Sequence, residues 1–317
     1  MFRLIILFVL LGLNTGAFAG ADGNIPIKVE AIKIAAHSYY VEGKSGAASA
    51  ENQGFMSNAG FVVTDAGVVV FDSLGTPALA ASMLAAIAKV TNQPVKRVIV
   101  SHYHADHIYG LQVFKALGAE IWAHTTGQEY LGSDEAQLRM QQRRELLKPW
   151  VDEHTKLLPA DKWLTGDTDF EMGGVHFELR YVGPAHSNED MAMFVQEDGV
   201  LYSGDLVFKG RVPYVGTADS RMWLQALDKL IAFKPKYMIP GHGSASGTPV
   251  ADLKLTRDYL EYVRLAMGRA VKEFIPFDEA YAQTDWKRFS SLPAFLDANR
   301  ANAYNTYLLM ESEGMKK

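Results

Sequence analysis

Residues 101–107 read Ser-His-Tyr-His-Ala-Asp-His, so three imidazoles and one carboxylate fall within a very short segment. The segment directly follows a β-branched run with the pattern of a buried strand. His102 and His104 project to the same side of an extended segment, and Asp106 and His107 can turn back to face them from the next loop and helix start. Zinc takes imidazole and carboxylate ligands where sulfur is absent. The segment therefore predicts a metal site at the end of a strand.

The composition is that of a globular protein. The chain has 317 residues, of which 48% are hydrophobic and 21% are charged. Lys plus Arg is 31 against 36 for Asp plus Glu, a net charge of −5, so no basic field is present to hold nucleic acid. Cysteine is absent, which excludes disulfides, thiolate ligands and a cysteine nucleophile. We expect a small-molecule substrate and no nucleic-acid partner.

The first residues have the form of a secretory signal. Arg3 supplies a positive charge, residues 4–13 are almost all apolar, and residues 17–19 read Ala-Phe-Ala, a small-x-small cleavage site. The apolar run is far shorter than the ~20 residues that a membrane-spanning helix needs. We therefore predict a signal peptide over residues 1–19, a periplasmic or secreted location, and no stable membrane span after the signal is removed.

Strand and helix patterns alternate through the next part of the chain. Residues 60–72 predict a hairpin with a turn at Asp-Ala-Gly, and residues 77–90 predict a helix before the strand that precedes the histidines. A polar helical pattern at residues 133–148 resembles an inserted cap. Two β-rich segments follow at residues 170–182 and 191–202. These patterns indicate two mixed sheets with helices packed outside.

The last part of the chain is helical in pattern. Residues 250–274 and 292–313 show helical periodicity with no strand between them. We divide the mature chain into a catalytic domain at residues 20–249 and a helical extension at residues 250–317. The extension could be a cap or a surface through which an oligomer forms.

Three later segments carry further histidine and aspartate residues at strand ends. Residues 183–186 read Gly-Pro-Ala-His, residues 203–205 read Ser-Gly-Asp, and residues 240–243 read Pro-Gly-His-Gly. With the His-x-His-x-Asp-His motif at residues 102–107, this ordered set resembles the metallo-β-lactamase superfamily. The resemblance covers roughly residues 58–243.

The resemblance implies an α/β fold, a four-layer αββα sandwich with a binuclear site at the edge between the sheets. It implies seven metal ligands: His102, His104 and His186 for the first ion, Asp106, His107 and His242 for the second, and Asp205 as the bridge. It also implies that a metal-bridging hydroxide attacks the substrate and that Asp106 orients this nucleophile as the catalytic residue. Two divalent ions are expected, with zinc the first choice; iron and manganese suit the same ligand types.

The branch of the superfamily is less defined. Lactamases with cysteine at the second metal are excluded, and the sequence is most similar to the glyoxalase II branch and to periplasmic zinc hydrolases associated with quinoprotein and sulfur-oxidation systems. This implies hydrolysis of a small ester, thioester, lactone or amide. The alternatives are β-lactamase activity, an idle metal-binding accessory protein, and an iron-dependent sulfur oxidoreductase.

Several residues outside the ligand set have two interpretations each. Asp72 is either an acceptor for a ligand imidazole or a turn aspartate. Residues 43–58 form either a mobile flap with an apolar tip at Phe55 and Met56 or a plain surface loop. Arg211 either clamps a substrate carboxylate or lies exposed in a loop. Four other histidines are read as surface or packing residues: His37, His124, His154 and His176.

The basic residues of the helical extension also have two interpretations. Lys254, Arg257, Arg264, Arg269 and Lys272 resemble the basic residues that hold glutathione in glyoxalase II. They also alternate with acids at helical spacing, as on a solvated face.

Overall fold

The computed structural model describes residues 25–315, and the signal peptide predicted over residues 1–19 lies outside them. The first sheet has seven strands in the order of the chain. They are β1 (Ile32–Lys33), β2 (Ser38–Val41), β3 (Ala59–Thr64), β4 (Gly67–Phe71), β5 (Val95–Ile99), β6 (Glu120–His124) and β7 (Lys162–Leu164). Strands β1 to β4 pair antiparallel and β4 to β7 pair parallel, so this sheet is mixed.

The second sheet has five strands in the order β12-β11-β10-β9-β8. They are β8 (Thr168–Met172), β9 (Val175–Tyr181), β10 (Met191–Val195), β11 (Val200–Phe208) and β12 (Tyr237–His242). Strands β11 and β12 are parallel, and the other neighbours are antiparallel. This arrangement places the ends of β11 and β12 side by side.

The helices fall between and after the strands. They are α1 (Pro77–Val90), α2 (Ala105–Ile108), α3 (Leu111–Ala116), α4 (Gly127–Leu131), α5 (Asp134–Leu146), α6 (Ser220–Ala232), α7 (Pro249–Lys272), α8 (Phe277–Gln283) and α9 (Phe295–Met315). Thr76 caps α1 by accepting from the amide of Leu79, and Asp219 caps α6 in the same way. No helix among residues 25–315 is long and apolar enough to cross a membrane.

The alternation of side chains along β4 shows how the layers form. Val68 and Val70 point to a core shared with α1 and α3, whereas Val69 and Phe71 point to a core between the two sheets. A third core lies between the second sheet and the helices α6, α7 and α9. Three apolar cores separate four layers, so the predicted αββα sandwich is confirmed.

The predicted helical extension lies on the second sheet. Leu253, Leu260 and Val263 of α7 share a core with Leu206 and Phe208 of β11. Helices α7 and α9 pack against each other, with Tyr259 bonded to Asn299 and Arg264 paired with Glu313, so the two helices run in the same direction. The second sheet and these helices are therefore joined by one apolar core.

Candidate metal centre

The seven predicted ligands come from both halves of the fold and meet at one edge of the sandwich. His102 and His104 lie in the loop after β5, and Asp106 and His107 lie in α2, which begins one residue after His104. His186 lies in the loop between β9 and β10. Asp205 lies within β11 and His242 is the last residue of β12, so the pairing of these strands places both at the same edge.

Three imidazole nitrogens converge in the first group. Nδ1 of His104 lies 3.0 Å from Nε2 of His102 and 2.9 Å from Nε2 of His186. Oδ2 of Asp205 lies 3.5 Å from Nε2 of His186 and 3.9 Å from Nε2 of His102. Ligands at 2.0–2.1 Å around a tetrahedral ion are separated by about 3.3 Å, so these four atoms have the spacing of a metal ligand set.

A second group of ligand atoms lies on the other side of Asp205. Oδ2 of Asp106 lies 3.5 Å from Nε2 of His107 and 3.4 Å from Nε2 of His242. Oδ1 of Asp205 lies 3.2 Å from Nε2 of His107, and its Oδ2 lies 3.2 Å from Nε2 of His242. Asp205 therefore contacts both groups and has the position of a bridging ligand.

Hydrogen bonds behind the cluster orient two of the rings. His107 donates from Nδ1 to Oδ2 of Asp72 at 2.8 Å, which leaves Nε2 free on the cluster side. The hydroxyl of Ser101 donates to Asp72 at 2.7 Å and lies 2.9 Å from Nδ1 of His102, which donates to it. Asp72 is therefore an acceptor for a ligand imidazole, as one of its two interpretations predicted.

The ring of His242 is oriented by a backbone carbonyl. Its Nδ1 donates to the carbonyl oxygen of Met56 at 2.7 Å, so Nε2 faces Asp205 and Asp106. Asn58 supports this end of β12, because its side-chain amide donates to the carbonyls of Pro240 and Gly243. The sequence interpretation missed Asn58, since an asparagine before a strand gives no signal of its own.

The buried histidines of the cluster fall into two sets by the direction in which their pKa is shifted. Burial lowers the pKa of His104 to about 3 and that of His186 to about 4, and it lowers the pKa of His102 well below its usual value. Burial alone would lower the pKa of His107 as well, but nearby carboxylates, led by Asp205, raise it well above its usual value. The first group is therefore neutral, which is the form in which imidazole binds a metal.

Buried atoms without partners indicate that the residues fit a cation. Among residues 25–315, no hydrogen-bond partner is found for Oδ2 of Asp106, Nε2 of His107 or Oδ1 of Asp205. Buried polar atoms are rarely left without partners, and buried carboxylates need a compensating positive charge. All three atoms point into the cluster, so divalent metal ions would satisfy them. The donor set of nitrogen and carboxylate oxygen suits zinc, iron or manganese.

The four histidines read as surface or packing residues lie outside the cluster. His37 contacts Asp198, a buried carboxylate in the turn between β10 and β11, at 3.0 Å. His124 stacks on the ring of Tyr181 with centroids 3.7 Å apart. His154 and His176 are exposed. None of the four belongs to a group of metal-ligand atoms in the described part of the chain.

A cleft of about 890 Å³, part of it open to solvent, lies over the cluster. Arg211 lines it and is only 4% exposed, so the interpretation as an exposed loop arginine is wrong. The predicted flap is also different from expectation: Phe55 is buried in the first core instead of forming an apolar tip, and Ala47 and Ala48 reach the cleft.

Three further residues of the cleft were missed by the sequence interpretation. Arg139 and Arg143 of the predicted cap helix α5 and Tyr214 of the loop after β11 line the cleft. The two arginines lie four residues apart and so share one face of the helix. On a polar helix that pattern is equally typical of a solvated face, and the sequence alone could not distinguish the two.

Three of the five basic residues named in the helical extension pair with acids. Arg264 contacts Glu313 at 2.9 Å, Lys254 contacts Asp258 at 2.7 Å, and Arg257 contacts Asp228. These contacts support the solvated-face interpretation.

Comparison with known proteins shows the family. The profile of the metallo-beta-lactamase superfamily matches residues 52–242, which is more than half of the chain. The chain therefore belongs to the metallo-beta-lactamase superfamily.

Two curated relatives show the range of this superfamily. The chain is 24% identical over 249 residues to the linear primary-alkylsulfatase of a Pseudomonas species, covering 67% of this chain and 47% of that protein. The chain thus spans about half the length of the alkylsulfatase. It is also 24% identical over 247 residues to the metallo-beta-lactamase IND-1 of Chryseobacterium indologenes, covering 76% of this chain and 92% of that protein.

Solved structures share the fold. The sec-alkylsulfatase Pisa1 from Pseudomonas sp. superposes with a TM-score of 0.69 at 18% identity, covering 88% of this chain and 50% of that one. A metallo-beta-lactamase from Pontibacter korlensis superposes with a TM-score of 0.57 at 22% identity, covering 74% of this chain and 99% of that one.

Proposed function

We propose that the protein is a binuclear metallohydrolase that cleaves a small-molecule ester, thioester, lactone or amide. The position of Asp205 between two groups of ligand atoms carries this proposal, because a single ion would not need a carboxylate with contacts on both sides. His102, His104 and His186 would hold one ion, and Asp106, His107 and His242 the other. We propose zinc as the metal, with iron and manganese as alternatives.

The residues around the site have different roles in the proposed reaction. Bound divalent ions would acidify a water molecule and polarise the bond to be cleaved. Asp106 lines the cleft beside the cluster, so it is placed to orient the attacking group while its Oδ2 would bind the second ion. The cleft walls bind the rest of the substrate and exclude water from part of it.

The relatives support two choices of substrate bond. The similarity to an alkylsulfatase favours an ester bond, and the match along 92% of the metallo-beta-lactamase IND-1 favours the amide of a β-lactam as the second candidate. Both bonds are open to the same hydrolytic chemistry.

A panel of substrates with a matched pair of variants tests the proposal. The zinc-loaded protein is assayed with a chromogenic cephalosporin, a lactone, a thioester and an alkyl sulfate. Asp205→Asn removes the bridging charge and should lower turnover at least ~100-fold, because the contribution of a ligand exceeds that of residues behind it. Asp198→Asn removes a buried carboxylate in the turn between β10 and β11, which lies at the opposite end of β11 from Asp205. This variant should leave turnover unchanged.

Metal content separates the outcomes of this assay. Two zinc ions per chain in the wild type, with fewer in Asp205→Asn, support the binuclear site. Equal turnover of Asp205→Asn and Asp198→Asn would contradict it. Two bound ions with no turnover on any substrate would favour the accessory or iron-dependent alternatives.

We also propose export, which rests on the signal pattern at residues 3–19 alone. Mass spectrometry of the protein from a periplasmic fraction should give a chain that starts at Gly20. Recovery of the uncleaved chain in the cytoplasm would refute export.

A further inference from the structure

The cleft over the metal cluster is lined by cationic side chains that the proposed reaction does not use. Six separate segments line it: the loop at residues 43–58, the start of α2 with the residue before it, α5, β11 with the loop after it, the end of β12 and the start of α9. Three arginines contribute to these walls, Arg139, Arg143 and Arg211. Apart from the cluster aspartates, Asp297 is the acid that lines the cleft in the described residues.

Arg211 is buried without a carboxylate partner. Its guanidinium donates to the carbonyl oxygens of Gly46 at 3.2 Å and Val212 at 3.4 Å, and within residues 25–315 its Nη2 has no hydrogen-bond partner. Burying a charge is costly unless an opposite charge compensates it. Three acids act on the charge of this guanidinium: Asp205, Asp106 and Asp297. Asp205 and Asp106 would hold metal, and Asp297 forms no ion pair with Arg211 among the described residues.

The arginines of α5 also lack acid partners. No carboxylate of the described chain lies within ion-pair distance of Arg139 or Arg143, whereas the arginines of the C-terminal helices mostly form ion pairs, such as Arg264 with Glu313 and Arg300 with Asp278. The nearby Tyr214 side chain helps to raise the pKa of Arg139 above its ordinary value, and both residues line the cleft. Within residues 25–315, five arginines form no ion pair, and three of them line the cleft: Arg139, Arg143 and Arg211.

The remaining wall of the cleft is apolar. Leu146 of α5, Phe208 of β11, and Ala294 and Ala298 at the start of α9 line it together with Met56. The ring of Phe208 lies 5.8 Å from the Arg211 guanidinium, so the apolar and cationic walls adjoin. A ligand with one anionic end and one apolar end would satisfy both walls.

We propose that Arg139, Arg143 and Arg211 form an anion-binding subsite, and that the substrate is a small amphipathic organic anion. The anionic group lies between Arg211 and the two arginines of α5, where planar guanidinium groups suit sulfate, sulfonate or carboxylate oxygens. The apolar part lies against Phe208, Leu146 and Ala298. This inference rests on the proposed function, because it takes the cleft over the metal ions to be the substrate site.

Binding of an analogue that cannot be hydrolysed tests the subsite without turnover. Octane-1-sulfonate is titrated calorimetrically into the zinc-loaded protein, with 1-octanol and octyltrimethylammonium as uncharged and cationic probes and octanoate as a second anion. Both anions should bind, and the cation should not. The double variant Arg139→Gln/Arg143→Gln should bind octane-1-sulfonate at least ~10-fold more weakly, because two charge-assisted contacts are lost.

Arg269→Gln is the matched control. Arg269 also lacks an ion pair among residues 25–315, but it lines a different cleft between α7 and α8. Its substitution removes one positive charge, as each of the two α5 substitutions does, and leaves the subsite intact. Its affinity for the sulfonate should stay within 2-fold of the wild type. Arg211→Gln is tested last, with its thermal unfolding curve, because the side chain is buried.

The outcomes distinguish this inference from the proposed function. Equal sulfonate affinity in the wild type and in the α5 double variant, or no binding to the wild type, would overturn the subsite even if the enzyme hydrolyses a neutral substrate. Arginine-dependent sulfonate binding in a protein with no turnover would retain the subsite and reject the proposed reaction.

Discussion

The carboxylate of Asp72 orients the metal cluster without belonging to it. Its Oδ1 accepts from the amide of Ser101, and its Oδ2 accepts from the Ser101 hydroxyl and from Nδ1 of His107. The backbone at this position has φ of 63°, a conformation that aspartate and asparagine adopt more readily than most residues. Asn is therefore a substitution that keeps the backbone and changes the acceptor.

At this scale we predict that Asp72→Asn weakens zinc binding by about 10- to 100-fold, because His107 loses the charged acceptor that fixes its ring. Zinc affinity is measured by competition with a chelator. Asp198→Asn is the control, since Asp198 is equally buried and also accepts from a histidine, but in the turn between β10 and β11. Similar zinc affinities in the two variants would show that Asp72 has no role in orienting the ligand.

Strands β11 and β12 bring two predicted ligands together, and a glycine permits their close approach. A Cβ atom on Gly241 would lie 2.0 Å from Oδ1 of Asp205 and 2.7 Å from the carbonyl carbon of Gly204. Both contacts are far inside van der Waals distance. The carboxylate of Asp205 can therefore occupy its observed position only because residue 241 has no side chain.

We predict that Gly241→Ala displaces Asp205 and lowers zinc content and turnover together, with a loss of at least ~1 kcal/mol in the free energy of unfolding from overpacking. Gly247→Ala is the matched control, since a Cβ there meets no atom within 4 Å. Metal analysis by mass spectrometry and urea unfolding check both variants. Full zinc content in Gly241→Ala would refute the steric role of this glycine.

Elements with a strong period were predictable from sequence, and short ones were not. The β-rich runs on either side of the Asp-Ala-Gly turn and the periodicity of α1 gave element bounds within a few residues, because β4 is buried along its whole length and α1 buries one face. Strand β7 has three residues, too few to show a period, and it was missed. The ligands were predictable because their motifs are local, whereas the arginines of α5 acquire their role from packing against distant segments.

At the scale of the whole molecule, the C-terminal helices support the cleft wall. Asn302 of α9 is fully buried; its side-chain oxygen accepts from the amide of Val215, and its amide donates to the carbonyl of Pro213 and the hydroxyl of Tyr259. These bonds fix the loop that carries Tyr214 and follows Arg211. The helical extension therefore influences substrate binding although it contributes no metal ligand.

We predict that Asn302→Ala lowers the free energy of unfolding by about 1–3 kcal/mol, because it leaves a buried amide and a buried carbonyl without partners. It should also weaken octane-1-sulfonate binding, since the loop beside Arg211 loses its anchor. Asn305→Ala on the same helix is the control: Asn305 is half-buried and forms no side-chain hydrogen bond within the described residues. It receives the same gain in helix propensity from alanine. Urea unfolding and calorimetry compare the two, and equal behaviour would mean that the loop holds its position without the helices.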